Sequence, residues 1–197
     1  ISFDKDVSYD KVDKIAIGVE ACYNRHNDHN DTLDKLGGVK DLTHSEFEMA
    51  KFSFENRPVL QINQNRNQVL HNQIKLNLVN YSIIKNGGDI PDGFELIDNW
   101  DEIIPAISKN IEVLCRLEHQ RWWAEQLLNG GRYNNTRDNS LELHPDMVPY
   151  EYIHDVSPEE FGALRISENH SATQRYDYHA VMDMIISFKY AGYLPIK

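Results

Sequence analysis

The chain has 197 residues, 31 acidic against 20 basic side chains, and a formal charge of −11 with 41% hydrophobic residues. That length fits one domain or two small ones around a buried core, and ten glycines with seven prolines exclude collagen-like and low-complexity chains. The acidic surface argues against nucleic acid as a partner. No apolar run is long enough to span a membrane. Two cysteines, Cys22 and Cys115, rule out a disulfide scaffold and predict a reducing, cytoplasmic setting.

The first residue is Ile1, and Ile1 to Asp13 lacks the basic and apolar regions of a signal peptide. The chain therefore reads as a piece of a longer protein or as one that has lost a leader.

In chain order, Val12, Ile15, Ala16, Val19, Cys22 and Tyr23 recur at helical spacing over Asp10–Asn27. A polar stretch follows, and Gly37-Gly38 marks a turn. Thr43 and Glu46 are spaced as a capping box ahead of a helix with Phe47, Ala50 and Phe54, which Pro58 ends. A third helix is predicted over Asn65–Asn80, followed by a short strand at Tyr81–Lys85 and a turn at Asn86-Gly87-Gly88. Gly87 to Gly93 reads as a linker.

The second half opens on another capping-box spacing, Asn99 and Glu102. One long helix is predicted with Ile104, Ile107, Ile111, Leu114, Glu118 and Trp122 along one side, ended by Gly130-Gly131. Arg132 to Ile153 is too long for a simple connection, and long ordered loops are often functional. A short helix at Ser157–Arg165, a long one at Tyr176–Ala191 and an extended Tyr193–Lys197 complete the chain.

The two halves share a pattern. Val69 and Val181, Tyr81 and Tyr193, Ile84 and Ile196, and Lys85 and Lys197 each stand 112 apart, and Asn65 aligns with Asp177 at the same shift. The helix openings align at a shift of 99, which sets Glu20 on His119 and Tyr23 on Trp122. A duplication follows, with residues 11–88 and 99–197 as its two copies. The fold class expected is mainly α, two helix-loop-helix units with short strands.

The densest polar and aromatic cluster is Glu118-His119-Gln120-Arg121-Trp122-Trp123. Glu118 continues an apolar line and so points inward, where a carboxylate requires a partner such as Arg121 or His119. The cluster reads either as an internal ion pair or as a polar pocket with an aromatic wall, since Trp and Arg planes suit a nucleobase and Arg suits phosphate. His26 and His29 stand three apart beside Asp28 and Asp31, but without a HExxH arrangement or a cysteine pair no metal is expected. No phosphate loop, nucleophile elbow or second base accompanies His119, so no catalytic residue, no cofactor and no enzyme activity are expected. His144 before Pro145 reads as a loop-fixing residue, and Trp100 as core or interface packing.

The loop continues with Gly131-Arg132-Tyr133, Arg137-Asp138, His144-Pro145 and Met147-Val148-Pro149-Tyr150, and the last helix carries Asp177 and Gly192-Tyr193. With Glu118-His119-Gln120-Arg121-Trp122, this series resembles the RyR repeat family, named for ryanodine receptors and found also in bacterial proteins. The likeness covers about residues 101–197; residues 11–85 resemble a degenerate second copy. Two positions depart from the family pattern, Gly131 where it has tryptophan and Asn134 where it has glycine, and a wider site is expected at Gly131.

The resemblance implies a tandem regulatory module of a larger bacterial protein, cytoplasmic or the cytoplasmic part of a membrane-attached one. The ligand-binding residues it suggests are Glu118, His119, Arg121, Trp122, Tyr133, Arg137, Asp138, His144 and Tyr150. The residue types favour a nucleotide-like small molecule. The alternative is a protein–protein interaction or scaffold repeat with no small ligand, since the ryanodine-receptor repeats are peripheral modules of a large channel.

Overall fold

The computed structural model describes residues 9–29, 41–154 and 170–197, and its architecture is mainly helical with short strands. The elements are α1 (Tyr9–His29), α2 (His44–Glu55), α3 (Val59–Leu78), β1 (Ser82–Lys85), a 3-10 turn (Trp100–Ile103), α4 (Ile104–Lys109), α5 (Ile111–Leu128), β2 (Arg132–Tyr133), β3 (Leu143–His144), α6 (Tyr150–His154), α7 (His170–Tyr190) and β4 (Tyr193–Ile196). The turn expected at Gly37-Gly38 and the helix expected at Ser157–Arg165 lie outside the described residues.

Two compact units emerge, one of residues 1–110 with 182–197 and one of residues 111–181. This partition by compactness cuts α7 and differs from a partition by sequence repeats.

In the first unit, α2 and α3 both pack on α1. Of the apolar positions that gave α1 its period, Ile15, Ala16, Val19 and Cys22 are buried, Val12 is half-buried and Tyr23 is exposed. Thr43 and Glu46 form the expected capping box, which satisfies two amide donors of the first turn of α2. Arg25 then holds Glu46 through Nε at 2.7 Å and Nη2 at 3.0 Å. Trp100 is core, stacked on Phe188 with its indole N–H donating to the Tyr193 carbonyl at 3.0 Å.

The helix expected to run unbroken from Ile104 to Leu128 is interrupted. Asn110 leaves helical geometry at φ −113°, and its side-chain amide donates back to the Ala106 carbonyl at 2.8 Å. Such side-chain competition for backbone acceptors is what makes Asn a helix-ending residue. Asn99 caps the 3-10 turn through the Asp101 amide at 3.0 Å rather than forming a box with Glu102.

The predicted strands pair with each other. β1 and β4 run antiparallel, with Ser82 opposite Ile196, Ile83 opposite Pro195 and Ile84 opposite Leu194. The register centres on Ile83 and Pro195, which stand 112 apart (195 − 83), the shift that aligns the two halves. The helices before them end alike. Asn80 at φ 63° and Gly192 at φ 85° take the left-handed cap position, again 112 apart. Their amides donate to equivalent carbonyls, Asn80 to Asn77 at 3.1 Å and Gly192 to Lys189 at 3.0 Å.

In the second unit, α5 carries Leu114, Cys115, Glu118 and His119 inward. Gly130 at φ 87° ends it, and the Gly131 amide returns to the Gln126 carbonyl at 2.8 Å. The chain then forms a small parallel pair, Arg132 opposite Leu143 and Tyr133 opposite His144.

Candidate functional site

Glu118 is 3% exposed and is held by Arg121, whose Nη2 donates to Oε1 at 2.6 Å and whose Nε lies 3.1 and 3.2 Å from the two carboxylate oxygens. Arg121 Nη1 donates to Glu125 at 2.7 Å. The i, i+3 and i, i+4 spacings put both acids against one guanidinium on a single helix face. Burial alone would lower the Arg121 pKa, but the two carboxylates outweigh it and hold it above its ordinary value. Every nitrogen of Arg121 thus donates to a carboxylate, and the residue is a structural clamp within α5. Glu125, at i+4 from Arg121, was a legible partner that the sequence reading passed over.

His119 is fully buried. Its Nε2 lies 2.7 Å from the Val148 carbonyl and its Nδ1 3.2 Å from Asp177 Oδ2. Both neighbours are acceptors when Asp177 is ionised, so both ring nitrogens must carry hydrogen to serve them. Burial pulls the His119 pKa down, but Asp177, the Val148 carbonyl and Asp146 together raise it above its ordinary value. The rings of Trp122, Trp123 and Tyr150 surround the imidazole at 5.8, 6.4 and 5.8 Å. Tyr150 is buried, its phenol pKa driven far up by burial, and Arg116 lies over its ring at 4.8 Å.

The outward part of the site is smaller. Trp122 meets His144 edge to face, with centroids 4.7 Å apart. Arg137 lies against His144 Nε2, and the Asp146 amide donates to His144 Nδ1 at 3.2 Å, with Asp146 Oδ2 3.3 Å from the same nitrogen. Arg137 Nη2 also reaches that carboxylate at 3.4 Å while its side chain stays 46% exposed. Tyr133 is exposed beside its register partner His144 and donates to Asn135 at 2.6 Å. Asp146, itself 3% exposed, fixes this group and was not foreseen. Its only sequence signal is its place in His144-Pro145-Asp146, where the proline stiffens the approach.

The expected residues therefore divide. Trp122, Tyr133, Arg137 and His144 share one outward region. Glu118, His119, Arg121 and Tyr150 lie beneath it as packing and pins. Asp138 closes a turn, accepting from the Ser140 amide at 2.9 Å and hydroxyl at 2.6 Å, bonds that lower its pKa. The widening expected at Gly131 does not occur there. A Cβ on Gly131 would stand 2.7 Å from the Gln126 carbonyl oxygen and 3.1 Å from Met147 Sδ, so that space is already filled.

The first unit holds a related arrangement. Glu20, aligned with His119, accepts from Asn65, aligned with Asp177, at 3.0 Å. Arg57 and Ser53 also donate to Glu20, the latter at 3.2 Å. Among the described residues no group of three or more His, Cys, Asp and Glu side chains gathers as a metal site, and no helix is long and apolar enough to cross a membrane. The side chains of His26 and His29 lie outside the described residues. No protein family, no curated protein and no solved structure matches this chain.

Proposed function

We propose that residues 99–197 form a non-enzymatic, ligand-sensing module of RyR-like type, with residues 11–88 as a degenerate copy, in the cytoplasmic part of a larger bacterial protein. The ligand is a nucleotide-like anion whose base rests on Trp122 and whose phosphate meets Arg137, with Tyr133 and His144 at the rim. The observation that carries this reading is the Trp122–His144–Arg137 contact series, anchored from below by Asp146. It holds an aromatic face and an exposed guanidinium side by side, the pairing that suits a base and a phosphate. The alignment of Glu20–Asn65 with His119–Asp177 supports the duplication.

The test is a thermal-shift screen with adenine nucleotides, ADP-ribose-like molecules and cyclic dinucleotides, followed by calorimetry. A ligand at about 100 times its dissociation constant adds about 2.7 kcal/mol of stability. Trp122→Ala should weaken a stacked ligand by about 1–3 kcal/mol, and Arg137→Ala should weaken it in a salt-dependent way. If nothing binds the parent at millimolar concentration, the second reading, a scaffold repeat, takes its place. The exposed Leu127 and Leu128 near the end of α5, at 56% and 88%, favour that alternative as protein-contact residues.

A further inference from the structure

The tripeptide Asn-Gly-Gly occurs twice, at Asn86-Gly87-Gly88 and at Asn129-Gly130-Gly131. A glycine after asparagine presents an amide with no side chain to shield it. The asparagine carboxamide carbon is an electrophile, and the next residue's amide nitrogen is a nucleophile held beside it by the chain. With the tripeptide identical, local structure distinguishes the two positions.

At the end of α5 the nucleophile is tied down. The Gly130 amide donates to the Leu127 carbonyl at 3.1 Å, and the Gly131 amide donates to the Gln126 carbonyl at 2.8 Å. Asn129 itself is half-buried, its amide held by the Glu125 and Gln126 carbonyls at 3.0 and 3.1 Å. At the end of β1 the flanking amides are held instead. The Asn86 amide donates to the Gly192 carbonyl at 2.9 Å, and the Gly88 amide closes the turn on the Lys85 carbonyl at 2.8 Å. Among the described residues no acceptor takes the Gly87 amide between them, and none engages the Asn86 carboxamide. Asn86 and Gly87 are exposed, and a Cβ placed on Gly87 would meet nothing within 4 Å. The carboxamide has room to swing onto the Gly87 nitrogen, which gives up no hydrogen bond to react.

We infer that Asn86 is a self-modification site, at which the folded chain converts asparagine into isoaspartate and aspartate. Base takes the proton of the Gly87 amide, and the nitrogen attacks Asn86 Cγ. The N–Cγ bond forms, the Cγ–Nδ2 bond breaks, and ammonia leaves with a proton from water, giving a cyclic imide. Water then opens the imide at either carbonyl. Cleavage between the Gly87 nitrogen and Cγ gives aspartate. Cleavage between that nitrogen and the Asn86 main-chain carbonyl carbon gives isoaspartate. The net change takes up water and releases ammonia, with no redox step. Either product adds a negative charge to a chain already at −11. Isoaspartate also routes the main chain through the side chain, which lengthens the turn closed by Gly88 and Lys85 and so loosens the end of β1.

Incubation of the 197-residue chain in heavy-oxygen water at neutral and at alkaline pH, followed by peptide mapping, tests this. Each event leaves a heavy oxygen on the modified residue. In the folded chain Asn86 should take the label at least about tenfold faster than Asn129, because the second site must first open backbone hydrogen bonds. Labelling should be faster at alkaline pH, where the Gly87 amide loses its proton more readily. In urea the two rates should converge, since the tripeptides are the same. In the isoaspartate form the Gly88 amide should exchange faster, and unchanged exchange would refute the loosening of the turn. Asn129 labelling as fast as Asn86 in the folded chain, a rate ratio that unfolding leaves unchanged, or a folded Asn86 that keeps its amide while the urea-unfolded chain loses it would each overturn the inference.

Discussion

Raising the pH tests the most specific piece of buried chemistry, the His119 pin. Its Nε2 faces the Val148 carbonyl at 2.7 Å and its Nδ1 faces Asp177 at 3.2 Å. Both contacts are served at once by the imidazolium and only one by the neutral ring. Because the folded pKa lies above the ordinary value near 6.5, the contribution is complete below about pH 6.5 and is lost as pH rises through the folded pKa. The loss is that of one charge-assisted bond replaced by a weaker or absent one, about 1–2 kcal/mol.

The chain has nine histidines, so the pin must be isolated by difference. Urea unfolding of the parent and of His119→Gln, from about pH 6 to about pH 9, gives that difference at each pH. Gln presents no titrating group, so the gap between the two proteins should be largest at the acid end and narrow toward alkaline pH. Nitrogen-15 shifts of the ring should show both nitrogens protonated near pH 6. A gap that stays flat across the range, or a neutral ring at pH 6, refutes the reasoning.

Glu118→Gln should cost about 2 kcal/mol, less than the 3–5 of a stranded buried charge, because Glu125 still holds Arg121; the urea midpoint should fall at constant slope. In an Arg121→Met background that cost should shrink, and an undiminished cost would show that the pair is not coupled. Gly131→Ala should destabilise by about 1–3 kcal/mol, since the added Cβ meets backbone at 2.7 Å, and an unchanged melting temperature would contradict it. Glu46, held at a pKa of about 2 chiefly by its hydrogen bond from Arg25, contributes fully above its unfolded value near 4.3 and loses that contribution as pH falls toward 2. Arg25→Met should therefore flatten acid unfolding in that window, and an identical acid limb in parent and variant would count against the pair.

Helix positions were legible wherever apolar residues kept their period and a cap stood at the end, as at Thr43 and Glu46. The inward turn of Glu118 could be read from the line through Ile104 and Leu114. The break at Asn110 could not, because the apolar period runs straight through it and only the side-chain bond to Ala106 reveals it. Asp146 escaped notice for a related reason. Its role is set by where a loop returns, a tertiary fact with no sequence period. Asp138 looked like a site residue by its place beside Arg137, yet its carboxylate is engaged locally with Ser140, the usual competition of a short acidic side chain for nearby donors.

One buried position separates the two halves chemically. A carboxylate enclosed by protein must be neutralised and hydrogen-bonded, and Glu20, 2% exposed, draws Arg57, Asn65 and Ser53 to itself. At the aligned position His119 supplies the cation, and Asp177 supplies the anion. Arg137 can then remain 46% exposed beside Trp122 and His144, whereas the first-half position aligned with Trp122 holds Tyr23. On this argument the first half cannot gain a binding face by restoring an aromatic alone. A Tyr23→Trp chain should bind no more nucleotide than the parent, because the first half's Arg57 is committed to Glu20. Calorimetry that finds a second equivalent bound by Tyr23→Trp would show that the buried pair does not decide which half faces a ligand.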